Sequence, residues 1–257
     1  MSIRRKFSLF RDRSWERFGT DDPYWAVLTA PRFRREAMTD ADRAEFFESG
    51  RVFVGQVLAN VTRFFGDDVK RDRALDFGCG VGRIALPLSE RCGHVVGVDV
   101  ARSMLAEARK NATSQARTNV TFVESDDTLS RVEGPFDLVH SVIVFQHIPV
   151  ALGLQLYARL LDLLAPGGVA ACHFVYRQRG SSLKNKLDRV RLTRTPFRQL
   201  SNVVEGRAPF APLMQMNEYD LGDLFAIAAD RGVRALHVEQ TDHGGYLGAM
   251  IYLRRPS

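Results

Sequence analysis

The sequence has little cysteine and no long apolar run. Its three cysteines, Cys79, Cys92 and Cys172, form neither a CxxC pattern nor an even-numbered framework, so we expect no structural metal ion and a reducing compartment, the cytoplasm. No apolar stretch approaches the ~18 residues that a transmembrane helix requires, and the first residues, MSIRRKFSLFRDRSW, carry charges without an apolar signal core. These absences argue against a disulfide-stabilised secreted domain and against a membrane-spanning protein.

The positive charge of the chain is concentrated in one segment. Lys and Arg number 36 against 30 Asp and Glu, and residues 177–208 hold nine of the basic residues with only Asp188 and Glu205 among them. One interpretation is a solvated surface segment, and another is a binding surface for phosphate, a nucleotide sugar, nucleic acid or an acidic lipid. Few aromatic side chains accompany these charges, so nucleic acid is the less favoured partner.

A strand, a glycine turn and a helix follow one another in RALDFGCGVGRIALPLSERC. Residues 74–77 form a short run with strand character, and Gly78, Gly80 and Gly82 then alternate through a turn that leads into a helical pattern. Glycines at alternate positions leave no side chain between the main chain and a ligand. The turn is therefore predicted to carry a ligand directly on its backbone.

Acidic residues end this strand and the next one. The second strand, HVVGVD, ends at Asp99, 23 residues after Asp76, where a carboxylate can hold two ribose hydroxyls. The third glycine comes one residue too early for the GxGxxG pattern of dinucleotide folds. Asp76, two positions before Gly78, would repel a diphosphate but suits an ammonium group. The unit is therefore predicted to bind a nucleoside.

The run DFGCGVG, followed by Asp99, resembles motif I and its acidic partner in the class I S-adenosylmethionine (SAM)-dependent methyltransferases. Three later segments, VTFVESDD, FDLVHSVIVFQHIP and LAPGG, resemble further signatures of this family and occur in its order. The resemblance covers about residues 73–176. It implies methyl transfer with SAM as cofactor and S-adenosylhomocysteine as product, on a right-handed doubly wound sheet.

The resemblance also implies which residues hold the cofactor. They are Asp76, Gly78, Gly80, Gly82, Asp99, Val100, Met104, Asp126 and Ser141. Val100 and Met104 would pack on the adenine, with ordinary core packing as the alternative. Asp126 would accept from the adenine amine, or instead cap a helix. Ser141 or its neighbours would present backbone carbonyls to the methionine ammonium.

The predicted fold is α/β, with a Rossmann-like sheet of seven strands. The sheet is mostly parallel, its last strand is antiparallel, and helices cover both faces. We expect residues 1–50 to form a helical lid and residues 51–257 the methyltransferase domain, with 177–217 as a basic insertion on the substrate side.

Several element boundaries follow from the periodicity. Helices are predicted over residues 51–65, 84–92, 150–164 and 216–233. LAPGG is interpreted as a turn before the fifth strand, and TDHGGYLG as a polar loop between the last two strands.

Two histidines are candidates for a general base. His147 follows the fourth strand, where the methyl group would move, and His243 stands beside Asp242 in TDHGGYLG. A histidine with an ordinary pKa of ~6.5 accepts a hydroxyl proton at neutral pH. The alternatives are a structural His147 that shapes the pocket or caps a helix, and an ordinary surface His243. The candidates for acceptor binding are Trp25, Gln146, Asp242 and Tyr246.

The predicted function is O-methylation of a sugar-containing or other polar small molecule, in which the enzyme mainly aligns two reactants in a dry cleft. The partner would be a small-molecule or glycan acceptor, with an anionic one favoured if the basic segment binds it. No NPPY-type run follows the fourth strand, where the sequence has HSVIV, which argues against a base or amide nitrogen as acceptor. An RNA-modifying methyltransferase that uses residues 177–208, and a noncatalytic SAM-binding protein, are the alternatives.

Overall fold

A computed structural model describes residues 14–179 and 214–257 of the chain. The first 13 residues and most of the predicted basic insertion, 180–213, lie outside the described residues. No helix within the described residues is both long and apolar enough to cross a bilayer.

Seven strands form one sheet in the order β3-β2-β1-β4-β5-β7-β6. They are β1 Arg73–Phe77, β2 His94–Asp99, β3 Val120–Glu124, β4 Phe136–Ser141, β5 Leu164–Gln178, β6 Leu236–His243 and β7 Tyr246–Arg254. The first five pair in parallel, and β7 runs antiparallel to both β5 and β6. The predicted seven-stranded fold with an antiparallel last strand is therefore confirmed.

Helices cover both faces of this sheet. In the described residues they are α1 at 14–21, α2 Pro23–Val27, α3 Asp40–Phe65, α4 Ala85–Ser89, α5 Arg102–Ser114, α6 Val150–Asp162 and α7 Leu221–Ala229. One hydrophobic core joins the sheet to α2 through α5, and a second joins its other face to α6 and α7. The order of the strands reverses between β1 and β4. In open α/β sheets ligands bind at such a point, so we expect a ligand at the carboxyl ends of these two strands.

Helix α3 is longer than the sequence pattern indicates. It begins after Thr39, whose side chain accepts from the Asp42 N–H while the Asp42 carboxylate accepts from the Thr39 N–H. This reciprocal capping starts the helix at Asp40, eleven residues before the predicted start. The helix continues through residue 50, where the sequence places the border between lid and domain. That division remains a prediction.

Helix α3 approaches the glycine loop closely at Gly50. A Cβ there would lie 2.1 Å from the carbonyl oxygen of Arg83, whereas a Cβ at Gly55, on the same helix, would meet nothing within 4 Å. We expect Gly50→Ala to lower the free energy of unfolding by about 1–3 kcal/mol through overpacking, and Gly55→Ala to raise it by about 0.5–1 kcal/mol through helix propensity. Urea unfolding of the two variants tests this, and equal effects would contradict the close approach.

The predicted helix over residues 216–233 is wrong at its start. Helix α7 begins only at Leu221, after Asp220, whose carboxylate accepts from the Gly222 N–H at 2.7 Å. Before it, the Asn217 N–H donates to the Gln146 carbonyl and the Tyr219 N–H to the Val175 carbonyl. These tertiary hydrogen bonds replace the helical ones, so residues 214–220 have no regular secondary structure.

Three other predicted boundaries also differ from the structure. Residues 241–243, predicted as loop, belong to β6, because Gly244 and Gly245 have φ of +64° and +90° and close a two-residue hairpin. The LAPGG segment lies within β5, with an irregular register opposite β4. Helix α4 ends at Ser89 because Glu90 and Arg91 donate to carbonyls three residues back, which tightens the chain into turns.

Candidate active site

The glycine loop after β1 forms the floor of a cleft at the carboxyl ends of the central strands. Gly78, Gly80 and Gly82 have φ of +76°, +52° and +89°, angles that glycine adopts without the steric cost of a side chain. A Cβ at Gly78 would lie 2.3 Å from a methyl carbon of Val144. Gly82 does not line the cleft, and its added Cβ would meet Leu86 and Ala108 in the core. Two of the three predicted glycines therefore face the cleft.

Asp99 fastens this loop to the end of β2. Its carboxylate accepts from the Gly80 N–H and from the Ala101 N–H, each at 2.9 Å. Burial raises the pKa of Asp99 to about 6, against the opposing effect of these hydrogen bonds. The group is therefore ionised at neutral pH, and each oxygen keeps a lone pair for a ligand hydroxyl.

Asp76 lies at the end of β1 and is paired with a histidine that the sequence analysis did not single out. His140 on β4 stands in register with Asp76, and its Nδ1 lies 2.9 Å from Asp76 Oδ1. A carboxylate oxygen accepts, so Nδ1 carries the proton. The other carboxylate oxygen, Oδ2, is buried and has no hydrogen-bond partner among the described residues. A buried acceptor without a partner is costly, which suits a cationic ligand group.

The third strand contributes a turn at the side of the cleft. Asp126 follows β3, Val100 and Met104 follow β2, and all three line the cleft. The Asp126 carboxylate, however, accepts from the backbone and hydroxyls of Thr128 and Ser130, and these bonds hold its pKa well below the usual range against the effect of burial. These bonds close a turn, and no helix follows in the described residues before β4, so the predicted helix-cap alternative is wrong, while the adenine role remains a prediction.

The exit of β4 forms the opposite wall. The Ser141 hydroxyl donates to the Phe77 carbonyl at 3.0 Å and is fully buried, outside the cleft lining. The next three residues, 142–144, line the cleft instead, with Ile143 at a φ of +58°. Of the alternatives predicted here, the neighbours of Ser141 rather than Ser141 itself face the cleft.

His147 lies in the cleft wall in one defined tautomer. Its Nδ1 lies 2.7 Å from the Gln215 carbonyl oxygen, which only accepts, so Nδ1 carries the proton and Nε2 keeps the lone pair. The Gln146 amide nitrogen lies 3.4 Å from Nε2. Burial lowers the pKa of His147 to about 4, although the bond to Gln215 opposes this shift. The imidazole is therefore neutral at pH 7, and its Nε2 lone pair accepts a long hydrogen bond from the Gln146 amide.

The N-terminal segment closes one side of the cleft through Trp15, which the sequence analysis left unassigned. The Trp15 ring meets His147 edge-on at 5.1 Å, and Trp15 and Val27 line the cleft. Helix α1 is held in place by Glu16, which accepts from the N–H of Ser103 through its carboxylate and from its hydroxyl through its main-chain carbonyl. The predicted Trp25 lies instead beneath the Arg34 guanidinium, 4.1 Å away, and does not line the cleft.

The predicted residues near the C-terminus lie away from the cleft. Asp242 accepts from the Gly245 N–H and pairs with Arg179, and Tyr246 accepts from the Gln178 amide. Successive strand residues point to opposite faces, so Asp242 does not orient His243, whose ring instead neighbours His173 at 5.2 Å. Neither these three residues nor Gln146 lines the cleft. The geometry thus gives no support to His243 as general base.

Two histidines with lowered pKa values make the stability of the fold sensitive to acid. Burial lowers the pKa of His147 to about 4 and that of His173 to about 3. Between about pH 6.5 and 4 the unfolded chain binds protons at both sites that the folded chain does not, so the free energy of unfolding falls as the pH falls. The raised pKa of Asp99 has the opposite effect on the free energy of unfolding. It is a single group, whereas two histidines lower the stability together.

Urea unfolding at pH 7 and pH 4.5 measures this effect. We expect a lower midpoint at pH 4.5, and a smaller drop in His173→Gln, which removes one of the two groups. A midpoint independent of pH would contradict the neutral state of these histidines.

The geometry of the cleft agrees with sequence comparison. Residues 74–168 match the family model described as "Methyltransferase domain". This match supports the predicted class I SAM-dependent methyltransferase domain.

Two curated relatives cover different shares of the chain. Aklanonic acid methyltransferase DauC from Streptomyces sp. (strain C5) is 36% identical over 152 residues, which are 58% of this chain and 64% of that protein. A 23S rRNA (uracil(1939)-C(5))-methyltransferase RlmD from Marinomonas posidonica is 42% identical over 59 residues, 23% of this chain and 14% of that one. The chain thus spans less than two thirds of the length of either relative.

Among solved structures, the fold resembles magnesium protoporphyrin IX methyltransferase (ChlM) from Synechocystis PCC 6803 with bound S-adenosylhomocysteine. The TM-score is 0.64 at 18% identity, over 95% of this chain and 97% of that one. At this identity the likeness shows a shared fold.

The residues of the cleft fit SAM, the cofactor that the sequence predicts. Glycines at 78 and 80 keep side chains off the floor, and Asp99 keeps lone pairs for the ribose hydroxyls. The unpartnered oxygen of Asp76 suits the methionine ammonium. When bound, SAM supplies an electrophilic methyl group on a sulfonium that becomes a neutral thioether after transfer.

Proposed function

We propose that the chain is a SAM-dependent methyltransferase that methylates an oxygen atom of a small organic molecule. The observation that carries this proposal is the state of His147: a neutral imidazole in the cleft wall, whose Nδ1–H is held by the Gln215 carbonyl and whose Nε2 keeps a lone pair. Such a group accepts the proton of an acceptor hydroxyl as its oxygen takes the methyl group.

The walls of the cleft indicate the body of the acceptor. Apolar side chains make up much of the cleft lining, and they include Trp15, Val27, Val142, Ile148, Leu152 and Leu156. A molecule with a flat or apolar body and one oxygen nucleophile suits these walls better than a fully hydroxylated sugar, because hydroxyls buried there would lose hydrogen bonds to water. The acceptor proposed here is therefore less polar than the sugar-containing molecule that the sequence suggests.

The relative with the longest match reported above points to an acid. Its name states that aklanonic acid is the molecule it methylates. A carboxylic acid is already ionised at neutral pH, so methylation of a carboxylate would need no base. Phenols and alcohols would need His147, and the two acceptor types are therefore distinguishable by the effect of a His147 variant.

The experiment is an assay of the purified full chain with SAM and a panel of aromatic carboxylic acids, phenols, glycosides and RNA. Release of S-adenosylhomocysteine, with a product heavier by one methylene, is expected for acids or phenols. Transfer only to glycosides would overturn the proposed apolar acceptor, and transfer only to RNA would support the RNA-modifying alternative. SAM binding without turnover on any acceptor would favour a noncatalytic protein.

A further inference from the structure

Three buried polar atoms without partners among the described residues lie in one region, where β1, β4 and α3 come together. Asp76 Oδ2, His140 Nε2 and Arg83 Nε have no hydrogen-bond partner among the described residues. The Phe53 ring links the group, with the Arg83 guanidinium 5.9 Å and the His140 ring 5.8 Å from its centroid. Unpaired buried groups each cost free energy, and three in one place indicate that something polar completes them.

Arg83 is placed in this group by the glycine loop. It follows Gly82 directly, and its carbonyl oxygen packs against Gly50 of α3. The residue is 8% exposed, and its described side-chain hydrogen bond is a single long one, 3.4 Å from Nη1 to the Ser49 hydroxyl. Burial lowers the pKa of Arg83, although the charge of Asp76 opposes this. A guanidinium with five donors is thus left largely unsatisfied.

Arg83 also faces the cofactor cleft. It lines the cleft together with Asp76, and within residues 14–179 and 214–257 it is the one Lys or Arg that does so. A plain anion at this place would be repelled by Asp76, and a plain cation by Arg83. A zwitterion, with an ammonium and a carboxylate on one carbon atom, satisfies both side chains.

We propose that Arg83 binds the α-carboxylate of the methionine part of SAM, while Asp76, held by His140, binds its ammonium. Arg83 therefore makes cofactor binding depend on the carboxylate of its amino-acid part. His140 is a positioning residue, because its bond to Asp76 Oδ1 leaves Oδ2 to face the ligand. The inference rests on the proposed use of SAM and is independent of the acceptor.

Calorimetric binding of three nucleosides to the full chain tests this. SAM carries both charges of the amino acid, decarboxylated SAM keeps only the ammonium, and 5′-methylthioadenosine has neither. We expect Arg83→Met to weaken SAM binding by about 10-fold to 100-fold, the usual effect of a hydrogen bond to a charged group. Decarboxylated SAM and 5′-methylthioadenosine should change by less than about 3-fold. Arg83→Lys, which keeps the charge, should recover part of the loss.

Arg71→Met is the matched control. Arg71 also has a buried Nε without a partner among the described residues, but it precedes β1, does not line the cleft, and donates to Thr62. The Arg71→Met variant should leave the affinities for all three nucleosides unchanged. Equal weakening of the three by Arg83→Met would show a structural role and overturn the inference, as would unchanged SAM binding.

The competing explanation is that Arg83 binds a carboxylate of the methyl acceptor and not that of SAM. If Arg83→Met leaves SAM affinity intact and instead raises the KM of an acid acceptor, Arg83 binds the acceptor and the inference fails. If the unmodified chain binds none of the three nucleosides, the proposed function fails with it. If it binds SAM and decarboxylated SAM equally well, only the role of Arg83 is overturned.

Discussion

Replacing Asp99 with alanine is expected to raise the Kd of SAM about 100-fold. Hydrogen bonds to a charged group contribute about 1.5–3 kcal/mol each, and a factor of ten corresponds to about 1.4 kcal/mol. The variant loses the proposed ribose contact and also the bonds that fasten the glycine loop through the N–H groups of Gly80 and Ala101. Isothermal titration with SAM or S-adenosylhomocysteine measures the change.

Asp137→Ala is the control for this variant. Asp137 is a strand aspartate that accepts a comparable hydrogen bond, from the Arg73 N–H at 2.9 Å, but it lies at the other end of the strands from the cleft. It should lower the stability of the chain and leave cofactor affinity unchanged. A similar loss of affinity in both variants would show that Asp99 acts through the fold rather than through the ligand.

Replacing His147 with alanine is expected to lower kcat by about 10²-fold to 10⁴-fold with a hydroxyl acceptor, the usual contribution of a general base. The Kd of SAM should change little, because His147 is not among the residues proposed to hold the cofactor. With a carboxylate acceptor the loss should be small, since no proton has to leave. Stopped assays that quantify S-adenosylhomocysteine provide the measurement.

The pH profile provides a second readout for His147. Burial lowers its pKa to about 4, so the base is neutral from pH 6 to pH 8 and kcat should be flat there, with a decline only at lower pH. An inflection near pH 6.5 would indicate a different, exposed base. His243→Ala serves as the competing variant, and a larger loss there than in His147→Ala would reverse the assignment.

The cofactor side of the cleft could be predicted from the sequence because its determinants are local. Gly78, Gly80 and Asp99 depend on backbone angles and strand ends that a short run of residues specifies, and the structure places all three at the cleft. The strand pattern likewise predicts the sheet, since hydrophobic periodicity and the order of the crossovers leave few topologies.

The acceptor side depends on residues far apart in the chain. His147 acquires its tautomer from Gln215, 68 residues away, and its aromatic neighbour Trp15 comes from the N-terminal segment. Trp25 lies in the apolar run PYWAVL and Trp15 among charged residues, yet Trp25 packs on Arg34 outside the cleft and Trp15 lines it. The local pattern therefore favoured the wrong tryptophan.

The sequence by itself determined the doubly wound fold, the glycine turn and its acidic partners, because these arise from residue types at fixed short spacings. Only the tertiary structure decided that His140 pairs with Asp76, that Arg83 shares their pocket, and that His243 lies away from it. Those relations depend on strand register and on the packing of α3 against the sheet, where a contact joins residues that are separated by tens of positions along the chain.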